Sequence, residues 1–311
     1  MDNELTQTLL MIKPVHFRHN DQTAVNNYYQ KNDIDPEEAQ TKAEEEFNSF
    51  VSLLRTNGVE VIVILDNDDH DTPDSIFPNN WVSFHSPNIV GIYPMYAENR
   101  RLERREDIFE YLQLQGFSYK ERKDFTTWEG DNKYLEGTGS LVLDRENKIA
   151  YAAISERTHI EVLEDFEEKL GYTSIRFSAN QSKDQKRLPI YHTNVMMSMG
   201  DTYAIICLDS IDDELEKNEV ILSLSSTGKE IVEISEEQVS KFAGNALQVT
   251  NNKNERILVM SEQAKESLSE DQISELLKYN DHIISSSLNT IETLGGGSAR
   301  CMMAEVFLEK N

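Results

Sequence analysis

The sequence predicts one α/β domain in which a helix-and-strand unit is repeated five times and closed into a ring. Three observations lead there. Five amphipathic helical segments alternate with short apolar strands along all 311 residues, the helix ends recur roughly every 55 residues, and no proline- or serine-rich linker divides the chain. No G-x-G-x-x-G or G-x-x-x-x-G-K-[ST] follows the first strand, which argues against a doubly wound nucleotide-binding sheet. A ring whose loops converge on one central cavity would let residues distant in sequence meet.

The elements follow in order. The apolar run "QTLLMIKP" opens the chain as a strand, and the 3.6-residue periodicity from Pro36 to Asn57 predicts a helix that leads into the strand "VEVIVIL". The strand "NIVGIYPM", a helix over Leu102 to Gln115 and the strand "FSYKER" make the next unit. "GSLVLDR" and "IAYAAI", a helix over Ile160 to Leu170 and "TSIRFS" make the third. "TYAIICL", a helix over Asp213 to Leu224 and "EIVEIS" make the fourth, and "RILVMS", a helix over Glu262 to Tyr279 and "DHIISSS" the fifth. Sequence identity between the units is negligible; what repeats is the pattern.

The formal net charge is -26, from 56 acidic and 30 basic residues. Such a chain repels nucleic-acid phosphates and anionic membrane surfaces, so the expected partner is a small molecule or a protein. The acidic residues sit on helical faces such as "EEAQTKAEEEF", which reads as a solvated surface. The N-terminal stretch lacks a basic segment followed by a long apolar run, and nothing approaches about 18 consecutive apolar residues, so a cytoplasmic protein is expected. Two cysteines, Cys207 and Cys301, fit neither a disulfide framework nor a C-x-x-C metal pattern. A homodimer is left open.

Chemistry concentrates in a few stretches. In "GGGSARCMMAE", three glycines leave backbone N–H groups free to face a ligand, and Cys301 follows beside Arg300 in surroundings that favour a thiolate. A small hydrophobe buried in "ARCMMAEVF" is the alternative reading of the same residue. Cys207, within the apolar strand "YAIICLDS", reads as core. A cysteine nucleophile needs a proton carrier, and among seven histidines His192 in "LPIYHTNV" has a strand-start context where a ring can reach a cavity. Glu136 in "YLEGTGSLVL" places a carboxylate at a strand mouth, with Glu129 in "TWEGDN" a competing candidate. "DTPDSIFPNNWVSFH" interleaves Ile76, Phe77 and Trp81 with Asp74, Asn79 and Asn80 and reads either as a pocket wall or as a turn. Arg157 in "AISERTH" can dock a carboxylate or pair on the surface.

Taken together, "LEGTG…AISERT", "YHTNV" and "GGGSARC" resemble, in order and separation, the guanidino-group-modifying or pentein superfamily: arginine deiminases, dimethylarginine dimethylaminohydrolases and amidinotransferases. "MIKPVHF", "FPNNW", "NRRLERR" and "FAGNAL" are similar to the citrulline hydrolase group within it. The resemblance implies a five-bladed α/β propeller with pseudo-fivefold symmetry in one domain over residues 1–311, and it requires no metal or organic cofactor. It implies Cys301 as the nucleophile, His192 as general acid and base, and Glu136 as the carboxylate of the site. It also implies Asp74 as a substrate contact, and Arg157, or alternatively Arg104 in "LERRED", as the residue holding the substrate's α-carboxylate. Arginine deiminases carry aspartates at the positions of Asn80 and Asn194. Neutral amides there weaken binding of a cation and offer a donor and an acceptor to a ureido group. The expected reaction is therefore cleavage of citrulline to ornithine, ammonia and carbon dioxide. A guanidine-modifying enzyme and a catalytically inactive binding propeller are the alternatives.

Overall fold

Five three-stranded sheets with one shared topology make up the framework of this computed structural model, which describes residues 5–32, 34–183 and 186–310. In each of these five a middle strand pairs antiparallel with a leading strand and parallel with a trailing one, and a separate antiparallel pair joins Asn180–Lys183 to Lys186–Pro189. The second sheet joins Val82–His85, Ile89–Ile92 and Glu121–Asp124, and the third joins Val142–Asp144, Ile149–Ala153 and Thr173–Phe177. The fourth joins Met197–Met199, Tyr203–Ile206 and Glu230–Glu233, and the fifth Leu247–Thr250, Arg256–Ser261 and His282–Ser286. The first sheet takes its middle and trailing strands, Thr8–Lys13 and Glu60–Leu65, from the beginning of the chain and its leading strand, Ala304–Glu305, from the end. A parallel pair cannot be joined by a tight turn, so helical chain crosses from middle to trailing strand in each unit.

Those crossover helices form where the sequence places them. Pro36–Thr56 starts at the Asp35 cap, whose carboxylate accepts the Glu37 N–H at 3.0 Å, and turns Ala39, Ala43, Phe47, Phe50, Val51 and Leu54 inward at helical spacing. Ile160–Leu170 matches its expected bounds, and Glu214–Ser226 runs two residues past them. The helix expected over Glu262 to Tyr279 is two helices, Glu262–Ser267 and Glu270–Leu276. Leu268 is extended, and Ser269 and Gln272 form a capping box that starts the second one. The helix expected from Leu102 begins only at Glu106, because Arg105 is extended and Glu98–Arg101 forms a separate turn.

The leading strands are the least visible in the sequence. They are two to four residues long, and Val82–His85 and Ala304–Glu305 lie in stretches that read as site or turn. They are central to the architecture nonetheless. Val142–Asp144 packs on Met197–Met199, Met197–Met199 on Leu247–Thr250, and Ala304–Glu305 on Val82–His85. Behind them lies apolar core. One cluster joins Phe47, Phe50 and Leu54 to Leu9, Ile76 and Phe77 and reaches Cys301 itself. Among the described residues no helix is long and apolar enough to cross a membrane.

Candidate active site

Each leading strand is entered through a short one-turn segment, and four of these turns pack on one another: Pro78–Asn80, Gly137–Ser140, Thr193–Val195 and Ala299–Met302. The fifth, closed by the Asn245 N–H on the Phe242 carbonyl at 2.8 Å, enters Leu247–Thr250. Two or three residues before the strand these turns carry Asn80, Gly139, Asn194, Asn245 and Cys301. The repeated unit thus gives these residues matching places before their strands, with Asn80 against Gly139 and with Asn194 and Asn245 against Cys301.

Glycine is required at two places there. Gly137 has φ +45°, and a Cβ on it would lie 2.4 Å from the Asn79 carbonyl oxygen. A Cβ on Gly139 would lie 2.4 Å from Asn80 Nδ2 and 2.8 Å from His192 Nδ1 and Cε1. The bare backbone of "EGTGS" lets Asn80 and His192 approach each other.

His192 precedes the third turn and is buried. Its Nε2 lies 2.8 Å from Glu136 Oε2. Glu136 also accepts the Tyr96 N–H at 2.9 Å and faces Arg157 Nη1 at 3.4 Å. Burial by itself would raise the Glu136 carboxyl; the Arg157 guanidinium and the bond from His192 outweigh it and hold the group well below the usual carboxylate range. Burial pushes His192 down to about 4 against the pull of Glu136, so the ring is neutral at neutral pH. The carboxylate only accepts, so Nε2 carries the ring proton and Nδ1, on the Gly139 side, keeps its lone pair.

Cys301 is a free, buried thiol. Asn245 Nδ2 lies 3.3 Å and Asn194 Nδ2 3.5 Å from its sulfur. The orientation of Asn245 is fixed from behind: its Oδ1 accepts the Arg300 N–H at 3.0 Å, so its amide N–H groups point toward the sulfur and toward the Asn194 carbonyl at 2.9 Å. Both amides thus present donors to the sulfur. Cys207, by contrast, lies wholly within the core of the fourth sheet.

Cys301 and His192 line one cavity together with Asp74, Asn80, Arg100 and Arg157. Asp74 Oδ2 accepts from Asn20 at 2.8 Å and Thr23 at 2.9 Å, whereas its Oδ1 is buried without a partner. Arg157 donates to the Thr23 carbonyl at 2.8 Å and, through Nε at 2.9 Å and through Nη2, to Asn26. A carboxylate docking on Arg157 must therefore compete with the 20–27 segment. Among the described residues no group of three or more His, Cys, Asp or Glu is arranged to hold a metal.

The fold thus brings Cys301, His192, Glu136, Asp74, Asn80, Asn194 and Arg157 to one centre. Asn194 meets the thiol but does not line the cavity. Arg104 does not belong to the site. Its guanidinium is taken up by Glu129 at 2.5 Å and the Tyr93 carbonyl at 3.0 Å, the same contacts that remove Glu129 as a candidate. Arg100, four residues earlier, lines the cavity instead. Arg100 and Asn245 escaped the sequence reading, although "FAGNAL" places Asn245 before its strand as "FPNNW" places Asn80.

The family described as N,N dimethylarginine dimethylhydrolase, eukaryotic, matches residues 13–308. The chain belongs to this family. It is thereby a member of the guanidino-group-modifying pentein superfamily that the motifs resemble. Among solved structures, the N-terminal domain of ArgZ, an arginine dihydrolase of cyanobacteria, is 18% identical, with TM-score 0.72 and 98% of both chains covered. A dimethylarginine dimethylaminohydrolase variant carrying an S-methyl-L-thiocitrulline adduct is 17% identical, with TM-score 0.62, covering 96% of this chain and 99% of that one. Unliganded AgrE is 17% identical with TM-score 0.71, and the likeness covers 96% of this chain but 39% of AgrE. No curated protein matches the chain. At these identities the structures share the fold, and family membership rests on the family match.

Proposed function

We propose that the chain is a cysteine-dependent hydrolase that breaks a carbon–nitrogen bond at the central carbon of a guanidino or ureido group carried by a free amino acid. The single observation that carries this reading is one cavity lined by Cys301, His192 and Asp74, whose Oδ1 is buried without a partner, with Glu136 orienting His192. The Cys301 thiolate adds to the central carbon, and the amide donors of Asn194 and Asn245 hold the sulfur. His192 Nδ1 takes the proton of the Cys301 thiol as the thiolate forms and gives it to the departing amine as the carbon–nitrogen bond breaks, then takes one from the water that displaces sulfur and returns it to the released thiolate. Asp74 Oδ1 accepts from an N–H or ammonium of the substrate. The catalytic domain spans residues 1–311, and the five sheets form the blades of a closed ring around this centre.

The family match supports a guanidino substrate, as do relatives named as an arginine dihydrolase and a dimethylarginine dimethylaminohydrolase. A guanidino substrate would lose ammonia or a methylated amine. A ureido substrate, citrulline going to ornithine, ammonia and carbon dioxide, is the second reading; the neutral amide of Asn80, which lines the cavity, favours it.

Incubation of the protein and of Cys301→Ala with citrulline, arginine, dimethylarginine and agmatine tests all of this, with ornithine, citrulline and ammonia assayed. Turnover of at least one substrate, abolished in the variant, is expected. Ornithine from citrulline selects the ureido reading, and citrulline from arginine or dimethylarginine the guanidino one. Turnover that survives Cys301→Ala would sink the mechanism.

A further inference from the structure

The Asn80 amide cannot turn over. Arg100 has only donors, so the Asn80 atom 2.6 Å from its Nη1 is the carbonyl oxygen. The amide nitrogen faces away and gives one N–H to Asn79 Oδ1 at 3.1 Å. It also lies over Gly139, at the spot flanked from the other side by the His192 ring. Arg100 is itself immobilised. Its Nε and Nη2 meet the two Glu103 oxygens at 2.8 and 2.9 Å, and Nη2 also donates to the Phe77 carbonyl at 3.0 Å. Both members of this pair are buried, 2% and 3% exposed. A buried ion pair gains little stability over apolar residues of the same shape, so its use here lies in the orientation it imposes.

We propose that Arg100, clamped by Glu103, is a positioning residue for substrate specificity: it locks Asn80 as a hydrogen-bond donor toward the reacting group, so that the cavity takes a ureido oxygen there and turns away a guanidinium nitrogen. The inference rests on the hydrolase reading above and decides between its two substrates. A guanidinium offers only N–H donors and would meet the Asn80 N–H head on, whereas the ureido oxygen of citrulline accepts it. Sites built around a directed buried hydrogen bond discriminate strongly against ligands that cannot complete it.

The experiment compares the ratio of kcat/KM for citrulline over arginine in the wild type, in Asn80→Asp, and in the paired variant Arg100→Met with Glu103→Met, which removes both charges together. Circular dichroism reports folding. In parallel, calorimetry with Cys301→Ala gives the same ratio as affinities, without turnover. The wild type should favour citrulline, and that preference should drop by at least about tenfold in the paired variant, where Asn80 is free to rotate, and reverse in Asn80→Asp, where only acceptors face the substrate. Arg100→Lys, which cannot span Glu103 and Asn80 as a fork, should shift the ratio in the same direction if the paired variant does not fold. A wild type that favours arginine, or folded variants with an unchanged ratio, overturns the inference while leaving the thiol hydrolase standing. Loss of turnover with citrulline still bound preferentially in the calorimeter would overturn the hydrolase reading and uphold the role of Arg100.

Discussion

Asn245 shows how much a single side chain can do once its back is pinned. The Arg300 N–H fixes its oxygen, so its donor reaches the Cys301 sulfur without a choice of rotamer. Asn245→Ala should lower kcat by roughly 100- to 1,000-fold, the range of a lost electrostatic contact to a reacting group, with KM little changed. Steady-state kinetics on whichever substrate turns over checks it. Two buried titratable groups shape the pH profile of stability in opposite senses. His192 sits at about 4 in the fold against 6.5 unfolded, so as pH falls below 6.5 the unfolded chain takes the proton first and stability drops. Burial raises Glu292, in the helix before the glycine stretch, to about 7 against hydrogen bonds from Ser261, Ser298 and Gln263. Its contribution is complete below the unfolded value near 4.5 and is lost as pH rises through about 7. Melting temperatures should therefore peak between these limbs. Glu292→Gln should flatten the alkaline one by an amount on the order of 1–3 kcal/mol, read from thermal melts between pH 5 and pH 8.

The one-turn segment before each leading strand is the element on which the site depends, and Gly137–Ser140 is the tightest of them. Gly139→Ala would push a methyl into Asn80 Nδ2 and the His192 ring. Activity should fall by at least about a hundredfold, with a stability cost of about 1–3 kcal/mol, the usual range for overpacking. Gly130→Ala, with nothing within 4 Å of the new atom, should leave both unchanged and serves as the control. The helices were easier to read than these turns. Periodicity marks Pro36–Thr56 and Ile160–Leu170 because each buries one face over several turns. It misses the break at Leu268, since the apolar spacing continues across a junction that only the Ser269 capping box reveals. A strand of two to four residues has too few alternations to show a period.

The two ends of the chain meet in the first sheet, where Leu9 pairs with Glu305 and Leu10 with Ala304. Glu305 also receives Arg300 at 2.6 Å and Arg145 at 3.3 Å, so the final strand joins the first sheet, the turn bearing Cys301 and the end of the third sheet's leading strand. Burial and the two guanidiniums oppose each other on Glu305, and the guanidiniums prevail, keeping its carboxyl below its ordinary value. Glu305→Ala would leave two buried cations unpaired and should cost about 3–5 kcal/mol in chemical denaturation, whereas Glu305→Gln should cost less. An equal loss in both variants would show that the charge does not matter.

Local pattern and chemistry determined a good deal by themselves. Amphipathic periodicity and apolar runs gave the five repeated units, and the rare residue types in "LEGTG", "YHTNV" and "GGGSARC" pointed to Glu136, His192 and Cys301 as candidates before any of them had a position. Tertiary structure decided what depends on direction and distance. Arg100 and Arg104 lie four residues apart in one arginine-rich stretch, and only packing shows that one faces the cavity and the other Glu129. Asn80 is an amide in the sequence, able to present either a donor or an acceptor; it presents a donor because Arg100, twenty residues away and held by Glu103, occupies its oxygen. A sequence lists the groups a site contains, while the side of each group that faces the substrate is set by partners the chain brings in from elsewhere.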